Sequence, residues 1–226
     1  MSTDIERKTV NKALRKFAHG DPVLVHDASS RENETDIIYP ASAVDPDAVA
    51  RLRNDAGGLI CTALSAEVAD AFSLPFLTTE ISHPASENIN LEYGERSSFS
   101  LPVNHRETRT GITDKDRSLT ISKLAEAASE PDSISFANQF RAPGHVPVLR
   151  AAEGLLTTRQ GHTELGVAMA IETGMAPAAV VCEMLDDASG DALTTTKAQE
   201  YARENDFIYI EGSRLIKNLC AKDGPL

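Results

Sequence analysis

Apolar positions recur along this chain in two rhythms, one helical and one of short continuous runs. Val10, Ala13, Leu14 and Phe17 fall at helical spacing and predict an opening helix over Thr9–Phe17 that Gly20 closes. Asp21-Pro22 is a turn, and Val23-Leu24-Val25 begins a strand. The pattern resumes at Ile37-Ile38-Tyr39, so residues 27–36 read as a polar loop joining neighbouring strands. Asp45-Pro46 opens a helix carrying Val49, Leu52 and Arg53, and Gly57-Gly58 ends it. Leu59–Leu64 reads as a buried strand, and residues 66–72 as a helix. Leu77–Ile81 and Ser98–Val103 are strand candidates, and the polar stretch of about 84–97 reads as a mobile loop. The helix Leu119–Ala128 takes Asp116 or Ser118 as its N-cap, and Phe140–Val146 is a Pro-Gly turn presenting His145.

The most informative stretch is Thr157–Glu183. Leu155 and Leu156 read as a strand end, followed by a polar turn through Arg159, Gly161, His162 and Thr163. A helix with Leu165, Ala168, Met169 and Glu172 follows, Gly174 is its C-cap glycine, and Ala178–Cys182 is a buried strand. That strand stops on a carboxylate, Glu183. Thr194–Asn205 then reads as a helix, Phe207–Ile210 as a strand and Arg214–Leu219 as a last helix. No internal repeat or low-complexity linker interrupts the series, and the alternation of elements predicts a single α/β or α+β domain over residues 1–226.

Composition narrows the classes of function. A chain of 226 residues with 41% hydrophobic content can bury a sizeable core. No apolar run approaches the roughly 20 residues a membrane helix needs, and the N-terminus shows no signal-peptide core, so a cytoplasmic location is expected. Cys61, Cys182 and Cys220 form no CxxC pair and suggest neither a disulfide framework nor a structural zinc site. Cys61 reads as core rather than as a nucleophile. The net charge of −12, with Arg outnumbering Lys, disfavours nucleic acid and acidic membranes as partners. It also means that any phosphate site must concentrate arginine locally. Such an acidic, Lys-poor protein suits a high-salt cytoplasm; added KCl would then raise its thermal stability, and full stability at low salt would count against the idea.

Against that acidic background the polar turns stand out. Arg159 supplies a planar fork for phosphate, beside a helix start that offers unpaired N–H groups. Gly161 permits close approach of the backbone, and His162 is a metal ligand or a proton carrier. Thr163 is an N-cap or a contact to a substrate oxygen. In the loop 27–36, Glu32 and Asp36 are hard oxygen ligands or proton acceptors, and Arg31 is an anion contact. A second loop, Thr108–Arg117, brings hydroxyls and two arginines to a helix N-terminus.

Taken in order, Asp27-x3-Arg31-Glu32-Asn33-Glu34-Thr35-Asp36, Thr110-Gly111-Ile112-x3-Asp116-Arg117, Pro143-Gly144-His145, Arg159-x-Gly161-His162-Thr163-Glu164 and Glu183 resemble the motif series of the 3,4-dihydroxy-2-butanone 4-phosphate synthases of riboflavin biosynthesis. The resemblance runs from about residue 10 to 212. It implies an α+β fold with a mixed sheet packed by helices, and a stand-alone, archaeal-type lyase dependent on Mg2+ or Mn2+. The implied reaction converts D-ribulose 5-phosphate to L-3,4-dihydroxybutan-2-one 4-phosphate and formate. A homodimer with shared active sites is implied too.

Carried over by motif, Glu32 and His162 are the metal ligands, and His145 and Glu183 the catalytic groups. Substrate contacts fall to Arg31, Glu32, Asp36, Thr110, Arg159, Gln160, Gly161, His162, Thr163 and Glu183, with Arg117 near the same pocket. Two departures from the bacterial pattern, Ala28-Ser29-Ser30 and Thr35, leave these positions intact. A metal-dependent sugar-phosphate isomerase or aldolase would use similar ligands, and formate release separates the two readings.

Overall fold

In the computed structural model, which describes residues 2–86 and 95–220, the apolar runs pair into a six-stranded mixed sheet with helices on both faces. The chain runs α1 (Ser2–Ala18), β1 (Val23–His26), β2 (Thr35–Pro40), α2 (Pro46–Arg51), β3 (Cys61–Leu64), α3 (Ala66–Ala71) and α4 (Leu77–Glu80). It continues through β4 (Val103–His105), α5 (Asp114–Ser129), α6 (Phe136–Gln139), β5 (Phe140–Val146) and β6 (Val148–Arg150). It ends with α7 (His162–Glu172), β7 (Ala178–Glu183), α8 (Thr195–Glu204), β8 (Ile208–Glu211) and α9 (Gly212–Cys220). The sheet order is β6-β3-β7-β2-β1-β8, and β4 and β5 form a separate two-stranded sheet.

β7 lies between β3 and β2 and is antiparallel to both, while β6 and β8 join the two sides in parallel. Strand periodicity divides the core in two. Ile38, Cys61, Ala63, Ala179 and Val181 face α1, α7 and α9, whereas Ile37, Tyr39, Leu64, Val180 and Cys182 face α2, α5 and α8. Helix α7 sits close on the first face because Gly166 lacks a side chain. A Cβ there would stand 3.0 Å from Ala179 Cβ and 3.2 Å from Ile38 Cγ2. Leu165 and Met169 of the same helix are fully buried, each contributing about 1.5–3 kcal/mol by leaving water.

The expected α+β mixed sheet is the observed one, and several local expectations need correction. Leu77–Ile81 is not a strand: α4 forms there, with Thr79 Oγ1 donating to the Phe76 carbonyl at 2.7 Å. Helix α5 starts at Asp114 with Thr113 as its cap, not at Asp116 or Ser118. Asp116 instead turns back and accepts the N–H groups of Arg109, Thr110 and Gly111. Leu155–Thr157 is a 3-10 turn and not a strand end, with Gly154 before it and Leu155 at its start in left-handed conformations. The N-cap of α7 is Gly161, so Thr163 lies inside the helix. Phe140–Val146, expected as a turn, is the strand β5, and its pairing with β4 shifts register between Val103 and Asn104. Part of the expected loop at 84–97, residues 87–94, lies outside the described residues; Pro84–Ser86 is a 3-10 turn.

Candidate active site

The loop between β1 and β2 is built on one buried carboxylate. Asp27 Oδ2 accepts from Glu32 N (3.2 Å) and Arg31 Nη1 (3.1 Å), and its Oδ1 accepts from Glu34 N (3.1 Å). That clasp, with Asn33 in a left-handed conformation, presents Glu32 beside the first residue of α7. His162 is buried there. Its Nε2 lies 3.1 Å from the Val25 carbonyl, and its Nδ1 lies 3.4 Å from both Glu32 Oε2 and Asp36 Oδ1. A carbonyl only accepts, so Nε2 carries one proton, and Nδ1, facing the carboxylates, is the nitrogen that gains or loses the other.

Asp36 and Glu183 are directly opposed in the β2–β7 ladder, which turns both to one face of the sheet. Glu183 Oε2 accepts from Leu59 N at 3.0 Å. Gly58 makes that possible, since a Cβ there would fall 2.5 Å from the same oxygen. These groups line a cavity of about 230 Å³ together with Cys61, Ser98, Phe99, Arg159, Thr163 and Val181. Burial pulls the His162 imidazole down, but the facing carboxylates of Asp36, Glu32 and Asp27 outweigh it and hold the ring above its ordinary range. Burial pushes the Asp36 carboxyl up, with His162 drawing it back and Glu183, Glu32 and Glu34 adding to the rise. Glu34 is raised for similar reasons, burial first and then Glu32 and Glu183. The Cys61 thiol, buried and facing Glu183, is far from thiolate formation, in keeping with its reading as core.

Arg159, which lines this cavity, meets Arg31 on one carboxylate. Glu95 Oε2 receives Arg31 Nη2 at 2.6 Å and Arg159 Nε at 2.5 Å. Arg159 Nη1 also reaches Ser98 Oγ (2.8 Å) and the buried Glu164 (2.9 Å). Gly161 leaves room for both guanidinium groups, since a Cβ would lie 2.9 Å from Arg31 Nη1 and 3.2 Å from Arg159 Nη1. Two forks that converge on an anion beside an N-terminal helix turn form a phosphate-type site, which Glu95 fills with its own charge.

The structure therefore brings Glu32, Asp36, Arg159, His162, Thr163 and Glu183 to one cavity, with Arg31 and Gly161 beside it. It does not bring in the rest within one chain. His145 stands exposed on β5, Thr110 is exposed and bonded to Asp116, and Arg117 pairs with Asp114. Gln160 is exposed, its side chain donating to the Leu156 carbonyl. Glu95 and Ser98, in or beside the polar stretch, carried no motif that would single them out. The Asp27 clasp is legible only as an acid ahead of a charged loop.

Ligand atoms of Asp27, Glu32 and His162 lie within 4.8 Å of one another. Among the described residues, Asp36 Oδ1, buried at the same place, has no hydrogen-bond partner. Two or three carboxylate oxygens and an imidazole nitrogen whose other N–H is tied to a carbonyl fit a hard divalent cation.

A family profile described as 3,4-dihydroxy-2-butanone 4-phosphate synthase matches residues 11–218. The chain is similar to the 3,4-dihydroxy-2-butanone 4-phosphate synthases of Archaeoglobus fulgidus (46% identity, 92% of this chain and 92% of that protein) and Methanosarcina mazei (44%, 93% and 90%). Among solved structures it resembles a 3,4-dihydroxy-2-butanone 4-phosphate synthase in complex with two magnesium ions (30% identity, TM-score 0.81, 96% of this chain and 99% of that one). It also resembles a Candida albicans enzyme of the same name (29% identity, TM-score 0.78, 93% and 96%).

Proposed function

The chain belongs to the 3,4-dihydroxy-2-butanone 4-phosphate synthase family, and we propose that its 226 residues act as one catalytic unit at the Glu32–His162 cavity. The enzyme converts D-ribulose 5-phosphate to L-3,4-dihydroxybutan-2-one 4-phosphate and formate in riboflavin biosynthesis. One observation carries the placement: Glu32 and His162 Nδ1 approach within 3.4 Å, with Asp36 at the same distance, in a cavity lined by Arg159 and with Arg31 beside it.

Glu32 and His162 would hold Mg2+ or Mn2+, with Asp27 close by. Such an ion supplies Lewis acidity toward the vicinal oxygens of the sugar. Arg31 and Arg159 bind the phosphate in place of Glu95, assisted by the Gly161–Thr163 turn and Gln160, and that contact orients the sugar toward the sheet. The reaction removes an acidic C–H beside a carbonyl and expels a hydroxyl before formate leaves. Glu183, held by Leu59 N–H, and His145 are the side chains that serve those steps.

His145 and Thr110 are absent from the cavity of their own chain, which supports a homodimer in which each pocket receives them from the partner copy. The chemistry points to a cytoplasmic small-molecule enzyme without nucleic acid or membrane partners. Among the described residues no helix is long and apolar enough to cross a membrane.

The test is direct. The purified chain is incubated with ribulose 5-phosphate with and without Mg2+, and formate is followed by NMR. Formate equal to the sugar phosphate consumed, and only with metal, is expected. Conversion to another pentose phosphate without formate would replace this reading by that of an isomerase.

A further inference from the structure

Asn104 has no place in any motif, yet it lies where two of them meet. It is buried on β4 beneath Gly111 of the Thr-Gly-Ile loop, where a Cβ would stand 2.0 Å from Asn104 Nδ2. Gly144 of the Pro-Gly-His segment presses on the same strand, and a Cβ there would stand 2.0 Å from the Val103 carbonyl carbon and 2.3 Å from Asn104 N. Both glycines thus make way for β4, and the side chain of Asn104 reaches His145 twice. Its Oδ1 accepts the His145 backbone N–H at 2.8 Å, and its Nδ2 lies 3.1 Å from His145 Nδ1.

These two contacts determine each other. A backbone N–H is always a donor, so the amide oxygen must face it, and the amide NH2 must face the ring. An NH2 group only donates, so His145 Nδ1 accepts and the proton of the neutral ring sits on Nε2. We propose that Asn104 is a positioning residue for His145. It fixes the ring in the Nε2–H tautomer, so that His145 offers a hydrogen bond to a substrate oxygen and does not act as a base. A neutral imidazole used in this way stabilises charge as it builds on a carbonyl or departing hydroxyl. The proposal rests on the reading of His145 as catalytic.

With only six histidines in the chain, imidazole 15N NMR of the full-length protein resolves the question. The His145 signals are assigned by their loss in His145→Gln. The wild-type protein is expected to show an unprotonated Nδ1 and a protonated Nε2. In Asn104→Asp a carboxylate oxygen faces the ring, and the Nδ1 signal moves to the protonated position. In Asn104→Ala both tautomers appear. There kcat falls about 10- to 100-fold with little change in KM, less than the 10²–10³ that loss of a whole oxyanion donor costs. A protonated Nδ1 in the wild-type neutral ring, or an Asn104→Ala enzyme with wild-type kcat, would overturn the proposal. If the spectra agree but His145→Gln turns over normally, the catalytic reading of His145 falls and the tautomer assignment stands.

Discussion

His162 has both ring nitrogens committed, one to the Val25 carbonyl and one to the carboxylates of Glu32 and Asp36. Those carboxylates raise the imidazole above its ordinary range, so near neutrality the ring holds a proton that a metal ion must displace. The sign follows: fewer protons compete as pH rises, so the affinity for Mg2+ should climb between about pH 6 and 8, by up to about tenfold per unit. Isothermal titration with Mg2+ at several pH values, without substrate, reads this directly. A flat profile would mean that His162 does not ligate. Among single residues, Glu32, His162 and Glu183 were singled out by the order and spacing of their motifs, since a lone carboxylate or imidazole in a polar loop or at a strand end also has ordinary structural explanations. Glu95 and Asn104 were not, since an ordinary Glu in a polar stretch and an Asn in a strand give no local sign of their distant partners.

At the scale of elements, α7 carries His162 and Thr163 into the cavity only as far as Gly166 lets it settle on the sheet. Gly166→Val should lift the helix from Ala179 and Ile38, costing roughly 1–3 kcal/mol of stability. Activity should drop further than the fraction unfolded accounts for. Thermal melts and kcat at a temperature where the variant is folded separate the two effects; an unchanged melting curve would show that the helix has slack. Most elements followed from periodicity, because long amphipathic runs and all-apolar strands have few alternatives. The failures share a cause. The first turn of α5 is polar, Asp-Lys-Asp-Arg-Ser, so apolar spacing detects the helix only from Leu119 onward. The α4 segment is too short for either rhythm to register, and its β-branched threonines suggest a strand until Thr79 closes a local turn on Phe76.

The whole molecule divides the proposed machinery between two regions, the sheet cavity and the β4–β5 corner. If each pocket draws His145 from a second copy, His145→Gln and Glu183→Gln homodimers should both be inactive. Mixed after subunit exchange, they should recover about a quarter of wild-type sites, the share expected from random pairing. Formate release in the mixture measures this, and persistent inactivity of fully exchanged dimers would place both residues in one chain's pocket. Spacing alone could not reveal such a division, because sequence separation carries no information about which copy of a chain supplies a group; only the family resemblance of the motifs implied it.

The pairing of Asp36 with Glu183 across β2 and β7 has a last consequence. Because side chains alternate along a strand, inserting or deleting one residue in either segment would swing its acid through the sheet, into the layer where Ile37 and Cys182 now lie. A change of length in either strand is therefore more disruptive to the site than a point substitution on it. The two acids thus form a matched set, spaced by the hydrogen-bonded backbone itself.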